Sequence, residues 1–155
     1  MSSELILLEP LPAWSPAAHR ATWGERDVVA LLGHSTLRAH VMGLGRSLST
    51  GVRPTPDELQ RMGRLLEDGL DAGYLGVSIN TLPWDKMDGD AFRSLPTPSV
   101  FAGWGEYRYL AGIVRRRGAI FQGVPDLSTR WNIAAFLAMS TGIGRPGLKT
   151  MMISM

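Results

Sequence analysis

The chain has 155 residues, 45% of them hydrophobic, and no cysteine, so it carries enough apolar material for one cored domain and excludes disulfides and thiolate metal sites. Sixteen basic residues against 14 acidic ones leave a formal charge of only +2, too little to predict a nucleic-acid partner. The opening Met1-Ser2-Ser3-Glu4 has no cationic region, and Pro10 and Pro12 interrupt the brief apolar run behind it, so neither a signal peptide nor a membrane partner is expected and the location read is cytoplasmic.

Residues 1–26 read as an irregular lead-in with a short helix between Ala17 and Trp23, and residues 27–155 as a single domain. The first predicted strand is the run Val28-Val29-Ala30-Leu31-Leu32, ending on Gly33 and delivering the polar cluster His34-Ser35-Thr36-Leu37-Arg38 at its carboxyl end. The Gly- and Ser-rich stretch from Val41 to Arg53 is predicted as loop. Thr55-Pro56-Asp57-Glu58 then opens a helix, with a threonine cap, proline in the first turn and acids beside unpaired N–H groups. Leu59, Met62, Leu65, Leu66 and Leu70 give that helix one apolar face, and Gly73 closes it.

The second strand is Leu75-Gly76-Val77-Ser78-Ile79-Asn80, followed by a long polar connection to Pro98. Asp85, Asp88 and Asp90 alternate within it, but no acid stands at the twelfth position of a calcium loop, which favours a solvated acidic turn. The next helix starts near Pro98 or Trp104, turns Tyr107, Leu110, Ala111 and Val114 inward, and stops before Gly118. Its end carries Arg115-Arg116-Arg117, cations that complement the helix dipole. A third strand runs from Ala119 to Gln122, a third helix over residues 129–139 buries Ile133, Phe136 and Leu137, and the fourth apolar run is Thr150-Met151-Met152-Ile153-Ser154.

Strands alternating with helices predict an α/β fold with parallel strands, and four such units amount to half of a (β/α)8 barrel of about 250 residues. Polar residues at strand carboxyl ends are the site candidates: His34, Arg38, Ser78, Asn80 and Gln122, as substrate contacts or as supports behind them. An imidazole at His34 can titrate or fix a neighbour. Arg38 suits either a substrate carboxylate or a structural salt bridge to a loop acid. Neither Ser78 nor another strand-end serine has a visible base partner, which argues against a serine nucleophile, and His19 and His40 read as surface or loop residues.

The run Gly33-His34-Ser35-Thr36-Leu37-Arg38 with Val41-Met42-Gly43, then Thr55-Pro56-Asp57-Glu58-Leu59, Met62, Leu65-Leu66-Glu67, Gly73 and Gly76-Val77-Ser78, resembles the N-acyl-D-amino-acid deacylase (D-aminoacylase) branch of the amidohydrolase superfamily. The resemblance implies the central part of a metal-dependent (β/α)8 barrel and a small-molecule partner, an N-acyl amino acid or related amide. It also implies hydrolysis of the amide C–N bond by zinc-activated water with an aspartate as general acid and base. Zinc is thus implied by the family, yet no residue of this chain is carried over as a metal ligand. Where the family's third strand ends in His-x-Arg, this chain reads Phe121-Gln122-Gly123-Val124, and where the fourth ends in Ser-His it reads Ile153-Ser154-Met155. Glutamine and glycine are poor zinc ligands and a thioether suits softer metals. The family's early His-x-His is expected upstream of Met1 and its aspartate downstream of Met155, so the isolated chain is expected to be an inactive fragment or a divergent member. The alternative is a non-catalytic α/β binding module, a homo-oligomer through the exposed edge of its last strand; a further idea is a metal-free hydrolase with His34 as base.

Overall fold

A computed structural model describes residues 15–22, 30–126, 130–142, 144 and 146–153. The lead-in before Ser15, Val28 and Val29 of the first predicted strand, and Ser154 and Met155 of the last, lie outside the described residues. Four strands, β1 (Leu32–Gly33), β2 (Gly76–Asn80), β3 (Ile120–Val124) and β4 (Lys149–Met152), form one sheet in the order β1-β2-β3-β4, and every pair is parallel. Around it stand α1 (Pro16–Ala21), α2 (His34–Met42), α3 (Leu44–Ser47), α4 (Pro56–Asp71), α5 (Trp104–Arg116) and α6 (Arg130–Ser140), with a 3-10 turn at Pro98–Phe101. The predicted α/β class with parallel strands is therefore the observed one.

Strand order decides where the helices go. Each crossover advances one strand in the same direction, and right-handed crossovers then put all connecting helices on one face. The register shows the result: Leu32, Val77, Phe121 and Thr150 share one row, and Gly33, Ser78, Gln122 and Met151 the next. Alternate residues of a strand point to opposite faces. The first row meets the helices, with the Phe121 ring 5.9 Å from that of Phe136 on α6 and Ser140 of α6 donating to the Thr150 hydroxyl. Met62 and Leu66 of α4 and Leu110, Ala111 and Val114 of α5 complete this core. The second row faces away, with Ser78 and Gln122 half-buried and Met151 exposed.

Helix α4 forms as its sequence predicts. Thr55 Oγ1 accepts from the Glu58 N–H at 3.2 Å while the Glu58 carboxylate accepts from the Thr55 N–H at 2.8 Å, a complete capping box. Gly73 follows its C-cap at φ +99°, a conformation that favours glycine. The fourth strand is shorter than predicted, ending at Met152.

Two expectations are corrected. Residues 34–47 are almost wholly helical, because Gly33 ends β1 and caps α2 directly and Gly43, at φ +79°, separates α2 from α3. Leu137 is 53% exposed, since it sits about 100° around α6 from the inward Phe136, leaving the buried face to Phe136 and Met139. The long connection after β2 is anchored: Leu82 and Met87 are buried, and Lys86 pairs with Pro96 in an antiparallel bridge. Among the described residues, no helix is long and apolar enough to cross a membrane.

Candidate functional site

Parallel α/β sheets place binding and chemistry at the carboxyl ends of their strands, and the end of β1 in this chain leads straight into a buried polar cluster. His34 is the first residue of α2 and is fully buried. Its Nδ1 lies 2.8 Å from Ser99 Oγ and its Nε2 lies 2.8 Å from Glu106 Oε1. One helical turn on, Arg38 is equally buried and donates from Nη1 to the other Glu106 oxygen, from Nε to the Ser47 carbonyl at 3.2 Å and from Nη2 to the Val52 carbonyl at 2.9 Å. The guanidinium is thus occupied by protein groups. Its acid comes from the first turn of helix α5, where a carboxylate also suits the helix dipole, and not from a loop.

Burial alone would push the Glu106 carboxyl up, but the hydrogen bond from His34 and the charge and hydrogen bond of Arg38 outweigh it and hold the group below the usual carboxylate range. Ser99, in the 3-10 turn, is the hub of the cluster. Its hydroxyl meets His34 and, at 2.7 Å, Ser35, its N–H donates to Ser35 Oγ at 3.1 Å, and its carbonyl accepts from the Tyr107 hydroxyl. Tyr107 also sets its ring edge-on to His34, 5.3 Å between centroids, and burial with the nearby Glu106 charge raises its phenol above the ordinary value.

Ser78 and Gln122 form a second group on the sheet face away from the described helices. Ser78 Oγ donates to Gln122 Oε1 at 2.6 Å, and Gln122 Nε2 lies 3.5 Å from the Met151 sulfur, a polar row across β2, β3 and β4. Asn80 is engaged at the tip of β2, where its amide donates to Asp85 and its Oδ1 accepts from the Leu82 N–H at 2.9 Å, closing the turn into the connection. Asp88 and Asp90 stand 3.6 and 3.7 Å from the exposed Arg93. His19 lies on α1 with its ring against Tyr74, and His40 on α2, where burial and the neighbouring Arg61 lower its pKa.

The five sequence candidates therefore separate into His34 with Arg38 in the buried cluster around Glu106, Ser78 with Gln122 on the face away from the described helices, and Asn80 at the tip of β2. Glu106 and Ser99, which organise the first group, escaped the sequence reading. A signal for Glu106 existed: it is the one acid of α5, and it shares a stripe with Leu110 and Ile113 at spacings of four and seven.

Zinc does not fit these residues. Among the described residues, no three His, Cys, Asp or Glu side chains converge to hold a metal. The bare-face donors Ser78, Gln122 and Met151 are a hydroxyl, a carboxamide and a thioether, a set without the imidazole or anionic ligands zinc favours.

No protein-family model matches the chain. Uncharacterised proteins of Mycobacterium bovis and Mycobacterium tuberculosis are 43% identical over 129 residues, 82% of this chain and 21% of their own length. The chain thus spans about one fifth of the curated relatives it matches. Among solved structures, N-acyl-D-glutamate deacylase from Bordetella bronchiseptica, complexed with zinc and a phosphonate inhibitor, superimposes with a TM-score of 0.62 at 24% identity, over 84% of this chain and 25% of that one. A D-aminoacylase does so with a TM-score of 0.59 at 22% identity, over 90% and 26%. The four strands and their helices have the fold of about a quarter of an N-acyl-D-amino-acid deacylase.

Proposed function

We propose that this chain is a segment of an amidohydrolase barrel of the N-acyl-D-amino-acid deacylase kind, and that its part in the reaction is to build one side of the substrate mouth. The observation that carries this reading is the one-sided sheet. Among the described residues, strand order β1-β2-β3-β4 with helices on a single face leaves the opposite face bare, and a parallel sheet is stable with both faces covered. Curling into a barrel is how this strand order covers its second face. The bare row Ser78-Gln122-Met151 then lines the interior, and the carboxyl ends of β1 to β3 form the rim. The substrate class is a small N-acylated amino acid or related amide, whose carbonyl and N–H match the neutral donors and acceptors of Ser78, Asn80 and Gln122. His34 and Arg38 support the rim from behind.

The chain by itself is expected to bind without turning over, because its donor set does not fit the metal that activates water in this chemistry. Titrating the 15N-labelled chain with N-acetyl-D-amino acids tests both parts. Shifts concentrated at Ser78, Asn80 and Gln122 with no release of free amine are expected. Shifts confined to other regions would overturn the site, and zinc-dependent deacylation by the purified chain would overturn its inactivity.

A second reading, a self-associating α/β module, is favoured by the outer edge of β4. Met151, Met152 and Ile153 are all exposed there, beside an edge that no described strand pairs.

A further inference from the structure

We propose that Glu106 is a positioning residue acting through His34. Its carboxylate fixes the imidazole tautomer, and the tautomer sets the direction of a hydrogen-bond wire, His34 to Ser99 to Ser35, that holds the 3-10 turn against the start of α2. The geometry of this wire stands by itself; its consequence for a substrate rests on the amide-binding reading, which puts the ligand at the same rim.

The wire is continuous, with separations of 2.8 Å from Glu106 to His34, 2.8 Å from His34 to Ser99 and 2.7 Å from Ser99 to Ser35. An ionised carboxylate only accepts, so the proton between Glu106 and His34 belongs to Nε2. The opposite tautomer would set a ring lone pair against carboxylate lone pairs at that distance. Arg38 already balances the Glu106 charge inside the cluster. A neutral imidazole keeps that balance, whereas an imidazolium would add an uncompensated buried cation. Nδ1 is then an acceptor and Ser99 Oγ must donate to it. With the Ser99 proton committed, the contact between the two hydroxyls runs from Ser35 to Ser99, while the Ser99 N–H donates back to Ser35 Oγ at 3.1 Å. The two serines form a reciprocal pair whose direction is dictated from Glu106, and the Tyr107 hydroxyl locks the Ser99 carbonyl. Ser99 thus spends every polar group on holding the Pro98–Phe101 turn in place.

This wire does something a simple buried ion pair does not. It joins segments 65 and 72 residues apart in sequence through a proton arrangement with one consistent orientation, so the connection after β2 and the helix after β1 move as one piece. The rim is set by a carboxylate that never reaches it.

Long-range 1H–15N spectra of the 15N-histidine-labelled 155-residue chain at neutral pH test the first step. His34 is expected as the Nε2–H tautomer with an unprotonated Nδ1. Observation of Nδ1–H, or of a doubly protonated ring, overturns the proposal. In Glu106→Gln, whose side chain can both donate and accept, the single tautomer is expected to be lost and amide-exchange protection at Ser99 to fall about tenfold or more relative to Val77 in β2. Retention of the pure Nε2–H form with unchanged Ser99 protection overturns it. Should Glu106→Gln not fold, Ser35→Ala decides the outer half: Ser99 protection is expected to drop while the His34 tautomer stays as in the parent, and unchanged protection overturns the wire. These readouts involve no substrate, so failure of ligand binding and failure of the wire are separate results.

Discussion

Glu106 and Arg38 carry opposite charges into a core that solvent barely reaches, and two buried ions that satisfy each other become a liability when one is removed. Glu106→Ala should destabilise the chain by roughly 3–5 kcal/mol, because Arg38 keeps its charge and loses its acid. The double change Arg38→Met with Glu106→Leu should cost clearly less than the sum of the single changes. Urea denaturation of the four proteins measures the coupling, and strict additivity would refute it. Acid should act through the same carboxylate. Folded Glu106 holds its proton less tightly than the unfolded chain does, so its contribution is complete above the ordinary glutamate range and is lost as pH falls through the lower folded value. Thermal midpoints of the parent should therefore decline between neutral and strongly acidic pH more steeply than those of Glu106→Gln; parallel profiles would show that this group does not govern the acid limb. The chemistry of His34 and Arg38 was legible from their residue types, but their spacing of four was not used, since the stretch read as the exit of a strand. Read as a helix, that spacing puts a hydrogen-bonding imidazole and a guanidinium on one face with Leu37 and Val41, and a buried guanidinium calls for a buried acid.

Elements with strong local signals formed where the sequence placed them. Helix α4 has a reciprocal cap at one end and a glycine at positive φ at the other, so its limits are set by its own residues. Helix α2 has no side-chain cap, opens on Gly33 and closes on Gly43, and two of its polar residues, His34 and Arg38, are buried. Local cues there say loop, and tertiary pairing with Glu106 and Ser99 overrides them. Helix α6 and β3 are coupled through one close approach that composition does not reveal. A Cβ at Gly123 would lie 2.7 Å from the Phe136 ring, which is itself fully buried. Gly123→Ala should cost about 1–3 kcal/mol by forcing that ring out of its site. Pairing it with Phe136→Leu should recover part of the loss, and thermal denaturation of the single and double variants checks this. An alanine as stable as the parent would mean that α6 shifts freely over the sheet.

At the scale of the whole molecule, alternation of strands and helices was enough to read parallel α/β architecture, because the apolar runs are short and polar-tipped, with helical segments between them. The bareness of one sheet face was not legible in any single run. It emerges from strand order, which depends on crossovers all stepping the same way. Among the described residues that order leaves the outer edge of β4 without a strand partner, and there Met151 is 45% and Ile153 40% exposed. Edges of this kind recruit further strands, and in the isolated chain the available strands belong to another copy. If two copies cover each other's edges, folding is linked to association, and each tenfold rise in protein concentration should add up to about 1.4 kcal/mol of apparent stability. The denaturation midpoint should rise accordingly across a wide concentration series. Met151→Lys, which puts a charge on the edge, should remove that dependence while leaving the β2–β3 pairing unchanged in amide exchange. A midpoint independent of concentration, with a monomeric mass throughout, would instead mean that the sheet stands open in solution and that its second face is covered only within a longer barrel.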